Sequence, residues 1–366
     1  MGYIVRQGFH ASVSSSRLPA CAATMMRTMM DRVSILATIC AVLFAPLGGA
    51  AQHAPPVNDR PNPYALVGNW PQLPEGRTLG AVSGVDIDRD GSSVWIADRC
   101  GANSCADSTV APILKFDAQG LLVKAFGAGL FALPHGVHVD REGNIWVTDD
   151  STTPTPGKGH QVIKFDPDGK VLLTLGKPGV LGPGPDTFNR PSDVVVAPNG
   201  DIFVADGHGG NSNARIVKFA RDGRFLATWG KKGTGRGELD TPHGLAMDSR
   251  GRLFVADLRN YRVQIFEQDG RFVDEWRQFG MPGGIFIDAR DRIYVADSLS
   301  SPQTNGGWIR GIRIGNAQDG TVSAFIRDAT PEANPITAAE GVAVDAQGTI
   351  YGAVVPTPGL LRYVQK

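Results

Sequence analysis

Two similar segments of the chain each place a histidine between a proline and a glycine. The first reads LPHGVHVD over residues 133–140, and the second reads TPHGLAMD over residues 241–248. His135 and His243 each stand just before a short alternating apolar run, which is the pattern of a β-strand. Imidazole is a common metal ligand and a common acid or base near neutral pH. The two segments therefore predict a pair of equivalent histidines that could share a metal ion.

These segments are parts of a unit that occurs six times. The aspartate that closes the unit in its first five copies stands at residues 98, 149, 206, 257 and 297, so successive copies are 51, 57, 51 and 40 residues apart. That period is typical of a propeller blade. Each copy has two alternating runs around a turn, then a second such pair, for example QVIKFDPDGKVLLTLG, so four antiparallel strands are expected. The sequence predicts an all-β fold, a six-bladed β-propeller. The copies begin GVDIDRDG at Gly84, GVHVDREG at Gly136, DVVVAPNG at Asp193, GLAMDSRG at Gly244, GIFIDARD at Gly284 and GVAVDAQG at Gly341.

The two ends of the repeat region predict how the ring closes. The last copy stops after LLRYVQK without its fourth strand, and the segment NPYALVGNW at 62–70 resembles a fourth strand that precedes the first copy. Pairing of these two segments would complete the last blade and remove the exposed edges of an open sheet. We therefore expect one propeller domain over residues 62–366. A row of two-sheet sandwiches is the alternative, but it does not explain six near-equal copies.

The start of each innermost strand predicts a metal site on the central axis. Blades two, four and six offer His135, His243 and Glu340 at this position, spaced by thirds around the ring. Two imidazoles and a carboxylate are the ligand set of a catalytic zinc or a related divalent ion, with a further position open for water or substrate. The alternative is that each histidine is a packed turn residue and that Glu340 is a solvated loop carboxylate. The full set of six is Ser83, His135, Ser192, His243, Gly283 and Glu340.

Strand parity predicts on which side of the ring chemistry takes place. The turns within each strand pair are tight and lie on one rim, whereas the longer insertions all lie on the other, which makes that rim the expected site. Arg99, His208 and Arg259 follow closing aspartates there. An arginine could hold a substrate carboxylate, and His208 could act as general base. The two arginines could instead pair with carboxylates of the blades.

The composition excludes some classes of partner, and the N-terminal region predicts export. The chain has 36 lysine and arginine residues and 36 aspartate and glutamate residues, so it carries no net positive charge that would attract nucleic acid. Residues 1–51 read as a signal peptide, with a start at one of several internal methionines, and 52–61 read as a linker. The apolar run in the leader is too short to span a bilayer. In an oxidising compartment Cys100 and Cys105 would form a local disulfide, with a metal pair as the alternative.

From about residue 82 to 265 the chain resembles an NHL-repeat propeller lyase family, the peptidyl-hydroxyglycine amidating lyases. The segments that carry the resemblance include ADRCG, LPHGVHVDREGNIWVTD, RPSDVVVAPNGDIFVADGHGGNSNARIVKF and TPHGLAMDSRGRLFVAD. The resemblance implies a zinc held by three histidines, a tyrosine base, arginines that recognise substrate, and a structural calcium in the channel. Position by position, it implies His135 and His243 as zinc ligands, Arg99 as a substrate arginine, and the carbonyls of Val85 and Val137 as calcium contacts.

The chain departs from that family at three places. The tyrosine position holds His208, the second arginine position holds Leu258 beside Arg259, and the third His-Asp pair is replaced by Glu340 and Gly341. Imidazole is a reasonable substitute for the base because its pKa lies near neutral pH. Losing the aspartate weakens the expectation of calcium.

We expect an exported, metal-dependent lyase acting on a hydroxylated amide or peptide-like substrate. Two alternatives stay open at this point. One is a metal-dependent hydrolase of lactones or esters, as in gluconolactonase-like propellers. The other is a non-catalytic binding propeller, since the fold alone does not assign a function.

Overall fold

A computed structural model describes residues 54–152, 155–334, 336–355 and 359–366 of the chain, and these residues form a six-bladed β-propeller. Each blade is a four-stranded antiparallel sheet. Blade one consists of β2 (Val82–Ile87), β3 (Val94–Asp98), β4 (Ile113–Phe116) and β5 (Leu122–Phe126). Blade two consists of β6 (Pro134–Val139), β7 (Ile145–Asp149), β8 (Gln161–Phe165) and β9 (Val171–Gly176). Blade three consists of β10 (Pro191–Val196), β11 (Ile202–Asp206), β12 (Arg215–Phe219) and β13 (Phe225–Trp229).

The remaining blades complete the ring, and the predicted fold class is confirmed. Blade four consists of β14 (Pro242–Met247), β15 (Leu253–Asp257), β16 (Arg262–Phe266) and β17 (Phe272–Trp276). Blade five consists of β18 (Ile285–Ile287), β19 (Arg292–Asp297), β20 (Gly311–Asn316) and β21 (Val322–Arg327). Blade six consists of β22 (Gly341–Val344), β23 (Ile350–Val354) and β24 (Gly359–Gln365) together with β1 (Tyr64–Val67). A single 3₁₀ turn, Leu258–Asn260, follows β15 in the described part of the chain.

The closure of the ring follows the sequence prediction. Strand β1 pairs antiparallel with β24, with Tyr64 opposite Gln365 and Val67 opposite Arg362. The two ends of the described chain therefore share the sixth blade, and the otherwise free edge of β24 is covered. Tyr64 packs into the apolar cluster between blades five and six.

The closing aspartates hold the segments that lead into the innermost strands. Each closing aspartate is fully buried and accepts a backbone N–H from the loop before the innermost strand of its own blade, at 2.6–3.2 Å. In blades three, four and five an arginine of the third strand also donates to it, for example Arg262 Nε to Asp257 at 2.8 Å. Buried carboxylates are retained where they are paired and hydrogen-bonded. The repeated aspartate therefore fixes where each innermost strand begins.

We call the residue at the start of each innermost strand, such as His135 in blade two, the ring position of its blade. The glycine after the ring position lets neighbouring blades approach at the axis. A Cβ atom added at the glycines that begin five of the innermost repeats would lie 2.3–2.7 Å from a backbone carbonyl oxygen of the next blade. For Gly136 the oxygens are Ser192 O at 2.7 Å and Asp193 Oδ1 at 2.4 Å. Only a residue without a side chain fits so close an approach. The PHG sequence thus places the histidine at the axis and the glycine at the contact between blades.

The predicted disulfide is present. Cys100 and Cys105 are bonded, with their Cα atoms 5.3 Å apart, and both side chains are buried against blades one and two. The bridge constrains the loop after β3, which carries Arg99 and Asn103. The metal-pair alternative for these cysteines is thereby excluded.

The N-terminal predictions fall mostly outside the described residues. The signal peptide, 1–51, lies among residues that are not described. The predicted linker is described from residue 54, and part of it contacts blade five: Arg313 donates from Nε to Val57 O at 3.0 Å and from Nη2 to Asn58 Oδ1 at 2.9 Å. Among the described residues no helix is long and apolar enough to cross a membrane.

Candidate metal centre

Three side chains predicted from the sequence converge on the axis. The Nε2 atom of His135 lies 3.4 Å from Oε1 of Glu340, and Nε2 of His243 lies 3.6 Å from the same oxygen. The ring centroids of the two histidines are 4.9 Å apart. All three side chains come from the starts of innermost strands or from the residue just before one, in alternate blades. The structure therefore brings the predicted ligands together.

His208 joins the same group from the loop after β11. Its Nε2 atom lies 3.1 Å from Nε2 of His243, and its ring centroid is 4.6 Å from that of His135. One ligand atom from each of the four residues lies within 4.8 Å of all the others. We call His135, His208, His243 and Glu340 the donor group. The sequence predicts His208 near the metal but does not predict that its ring enters the ligand set.

Backbone carbonyls fix the orientation of two rings. Nδ1 of His135 lies 2.7 Å from Ser192 O, and Nδ1 of His243 lies 3.2 Å from Gly283 O. A carbonyl oxygen only accepts, so in each neutral ring Nδ1 carries the hydrogen and Nε2 carries a lone pair. Ser192 and Gly283 occupy the ring positions of blades three and five, next to each histidine. The backbone carbonyls of blades three and five therefore orient the histidine rings of blades two and four.

The donor atoms suit a cation. His208 donates from Nδ1 to the carboxylate of Asp150, which leaves its Nε2 with a lone pair as well. Three imidazole lone pairs and a carboxylate oxygen then face one another without a hydrogen to share, and the buried Nε2 of His135 has no hydrogen-bond partner among the described residues. For zinc–nitrogen bonds of 2.0–2.1 Å, two ligands of a tetrahedral ion are about 3.3 Å apart, close to the separations found here. The residues present therefore fit a divalent metal.

The protonation states also suit a metal. Burial lowers the pKa of His135 and lowers that of His243 to about 4, with neighbouring imidazoles adding to the effect. Burial alone would raise the pKa of Glu340, but the adjacent rings of His135, His243 and His208 lower it to about 2. At neutral pH His135 and His243 are thus neutral and Glu340 is ionised, as metal ligands must be.

Arg99 lies close to the donor group. Its side chain is buried, and Nη1 donates to Asn103 Oδ1 at 2.9 Å, with Nε 3.4 Å from Pro134 O. Burial lowers its pKa, and the charges of Glu340 and Asp150 partly offset that effect. Within the described ranges no aspartate or glutamate forms an ion pair with this guanidinium. A buried cation held only by neutral oxygens is suited to bind an anionic group of a ligand.

The other sequence-predicted residues lie apart from the donor group. Arg259 is exposed in the 3₁₀ turn after β15, and its role in substrate binding stays a prediction. Val85 and Val137 sit on innermost strands that line a central cavity of about 330 Å³, which begins at the donor group. The calcium contact predicted for their carbonyls stays a prediction, and Gly341 offers no carboxylate there. The axis is an open, partly polar cavity, unlike the apolar filling expected of a purely structural core.

Asp150 and Arg190 are functional candidates that the sequence does not single out. Asp150 is fully buried beside the closing aspartate of blade two. Arg190 donates from Nε to Asp150 Oδ1 at 2.8 Å and from Nη2 to Oδ2 at 3.1 Å. The sequence holds one signal for Arg190. It is a charged residue that precedes the proline at the start of an innermost strand in blade three, whereas the uncharged Leu133 and Thr241 hold the equivalent positions in blades two and four.

Comparison with known proteins agrees with the propeller fold. The NHL repeat family matches residues 188–219 and 239–266, which lie in blades three and four. These two segments are similar to NHL repeats. The chain is 33% identical over 219 residues to NHL repeat-containing protein 3 of Homo sapiens, covering 58% of this chain and 59% of that protein.

Enzymes are among the similar proteins. Peptidyl-alpha-hydroxyglycine alpha-amidating lyase 1 of Drosophila melanogaster is 33% identical over 243 residues, covering 59% of this chain and 42% of that protein. The resemblance to the amidating lyases predicted from the motifs is therefore confirmed. The chain spans less than two thirds of the length of these curated relatives. A gluconolactonase from Xanthomonas campestris shares the fold, with a TM-score of 0.55 and 16% identity over 79% of this chain and 87% of that one.

Proposed function

We propose that this protein is an exported, metal-dependent lyase that cleaves the C–N bond of a hydroxylated amide or peptide-like substrate. The convergence of the donor group on the propeller axis carries the proposal. The likeness to amidating lyases and the disulfide, which suits an oxidising compartment, support it.

His135, His243 and Glu340 would hold the metal, for which we propose zinc. When bound, the ion supplies Lewis acidity toward the substrate hydroxyl. The protein's own contribution is orientation, because Ser192 O and Gly283 O keep both imidazole rings turned toward the axis. His135 and His243 are buried, and the low-dielectric surroundings strengthen their interaction with charge.

The reaction balances without a further reactant. The hydroxyl proton leaves as a C=O bond forms, the C–N bond breaks, and its electron pair passes to nitrogen, which takes up a proton. The products are an amide and a carbonyl compound. Proton acceptors within the donor group are His208, which the sequence predicts as base, and the carboxylate of Glu340. Arg99 would bind the substrate carboxylate beside the reacting carbon.

Metal analysis together with a substrate panel tests the proposal. Purified protein is expected to contain one divalent ion per chain and to release an amide from an N-acyl α-hydroxyglycine peptide more readily than it opens any lactone of a matched panel. His135→Ala should lose the ion and the activity. His138→Ala is the matched control, because this imidazole lies in the cavity outside the donor group.

Two results would overturn the proposal. One is the absence of a stoichiometric divalent ion from the purified protein, or its retention by His135→Ala. The other is faster turnover of lactones than of the hydroxyglycine peptide, which would favour a hydrolase. Metal without any turnover on either panel would favour a binding propeller.

A further inference from the structure

We infer that His208 is a fourth protein ligand of the metal, and that Asp150 and Arg190 are positioning residues that hold it in that role. This rests on the metal centre of the proposed function and makes its ligand set three imidazoles and one carboxylate. It assigns to His208 a role different from the general base predicted from the sequence.

Asp150 determines how the imidazole of His208 is oriented. The carboxylate accepts the Nδ1 hydrogen of His208, so the ring must present Nε2 to the axis. Asp150 is fully buried, and a buried carboxylate is costly without partners. Arg190 supplies them by donating to both oxygens, at 2.8 and 3.1 Å. The same arginine accepts the backbone N–H of His208 at its own carbonyl, at 3.0 Å.

The position of Nε2 favours a ligand over a base. A base needs its lone pair directed at a substrate proton, with space between them. The lone pair of His208 is instead 3.1 Å from that of His243, and neither atom carries a hydrogen when both rings are neutral. That separation is close to the distance of about 3.3 Å between two nitrogens on one tetrahedral zinc ion. A shared cation turns this repulsive contact into a favourable one.

Arg190 has a second function in this arrangement. Glu340 and Asp150 would place two carboxylates near one ion. The guanidinium of Arg190 neutralises the carboxylate of Asp150, which lies farther from the axis. Its bidentate contact also keeps Asp150 from turning inward to become a ligand itself. With four protein ligands, a substrate oxygen can join a zinc ion only if the coordination number rises to five.

Cobalt titration of the metal-depleted full chain tests the inference. Co²⁺ would be added to the wild type, His208→Ala, Asp150→Asn, the double variant and the His138→Ala control, while visible absorption is recorded. X-ray absorption of the zinc-loaded proteins would count imidazole ligands. We expect three imidazoles in the wild type and in His138→Ala, and two in His208→Ala, with a changed cobalt spectrum. Loss of a partner of a ligating histidine typically weakens metal binding about 10- to 100-fold, and we expect this for Asp150→Asn.

The double variant distinguishes positioning from general stability. If Asp150 acts through His208, Asp150→Asn should weaken cobalt binding in the wild type but not further in His208→Ala. Far-UV circular dichroism and urea unfolding identify any variant that does not fold, and His208→Ala remains informative because this loop residue is partly exposed. An unchanged cobalt spectrum and affinity in His208→Ala, with metal still bound, would overturn the inference alone. Absence of a bound ion in the wild type would instead overturn the proposed metal centre.

Discussion

Charge and hydrogen-bond direction decide what the individual residues at the axis can do. Among the described residues, four acceptor atoms meet without a hydrogen to share, and the buried Arg99 beside them forms no ion pair with a carboxylate. Each arrangement is unfavourable by itself, because unpaired buried polar groups are costly. Both become favourable when a cation and an anion bind. The residues therefore favour a ligand site over a structural core.

Replacing Arg99 should change recognition of the substrate carboxylate. We expect Arg99→Met to raise KM for an N-acyl α-hydroxyglycine roughly 10- to 100-fold, because a hydrogen bond to a charged group contributes about 1.5–3 kcal/mol. The methyl ester of the same substrate should be turned over equally by both proteins. Steady-state kinetics on the acid and the ester check this. An equal loss on both substrates would contradict a role in carboxylate recognition.

Asp193 should make stability depend on pH. Burial raises its pKa to about 7, and backbone hydrogen bonds from Leu245 and Val194 offset only part of that effect. Asp193, His138 and Asp86 all line the central cavity. The folded protein thus holds a proton that the unfolded chain, with an ordinary aspartate pKa near 3.8, releases earlier. This stabilising contribution is complete below about pH 4 and is lost as pH rises to about 7. Asp193→Asn should therefore gain stability relative to the wild type between pH 5 and pH 8, as measured by urea unfolding.

Asp90 is a control of opposite sign. Burial raises its pKa, but the side-chain and backbone hydrogen bonds from Ser93 and Ser92 together outweigh burial and lower it to about 2. Its contribution is present above about pH 4 and is lost only as pH falls toward 2. Asp90→Asn should therefore change stability equally at pH 5 and pH 8. If the stability of Asp193→Asn and Asp90→Asn, relative to the wild type, changed in the same way between pH 5 and pH 8, the raised pKa assigned to Asp193 would be contradicted.

At the scale of the element, innermost strands position the site through two repeated devices. The closing aspartate fixes the start of the strand, and a glycine allows its contact with the next blade. Because His135, His243 and Glu340 each stand directly before that glycine, the contact between blades also sets where these side chains point. Packing between sheets and the geometry of the proposed metal centre are therefore coupled.

Gly136→Ala tests this coupling. The added Cβ would meet Ser192 O and Asp193 Oδ1, so the two blades must move apart. We expect the free energy of unfolding to fall by about 1–3 kcal/mol, as for overpacked cores, and metal affinity to fall with it because His135 is displaced. Gly68→Ala is the control, since a Cβ there meets nothing within 4 Å, and its effect should stay within about 0.5 kcal/mol. Urea unfolding and cobalt titration measure both effects.

At the scale of the whole molecule, closure of the ring keeps His135, His243 and Glu340, which are distant in sequence, at fixed separation. Glu340 belongs to the sixth blade, which is complete only when β1 pairs with β24. An open ring would leave a β-edge exposed and would let blade six move relative to blades two and four. The strand nearest the N-terminus of the propeller thus supports a site built from residues far along the chain.

Removing β1 should therefore affect both stability and the site. A chain that begins at residue 68 lacks Tyr64, which is buried between blades five and six, and loss of a buried aromatic costs about 3–5 kcal/mol. We expect lower stability, self-association through the free edge of β24, and weaker cobalt binding. A chain that begins at residue 54 is the control and should behave as a monodisperse protein of full stability. Light scattering and urea unfolding would show equal behaviour of the two chains if β1 were dispensable.

The sequence by itself determined the fold, the closure, the disulfide and three of the four donors. These features depend on local periodicity and on one motif repeated at equivalent positions, so the known geometry of a propeller carries His135, His243 and Glu340 to a common axis. The tertiary structure alone decided the contribution of Asp150, Arg190 and the ring of His208. These residues lie in non-repeated loops and are separated by 18 to 58 positions along the chain. Their contacts depend on loop conformations that no periodicity encodes, and only the folded chain brings a buried carboxylate, its arginine and a turned imidazole together.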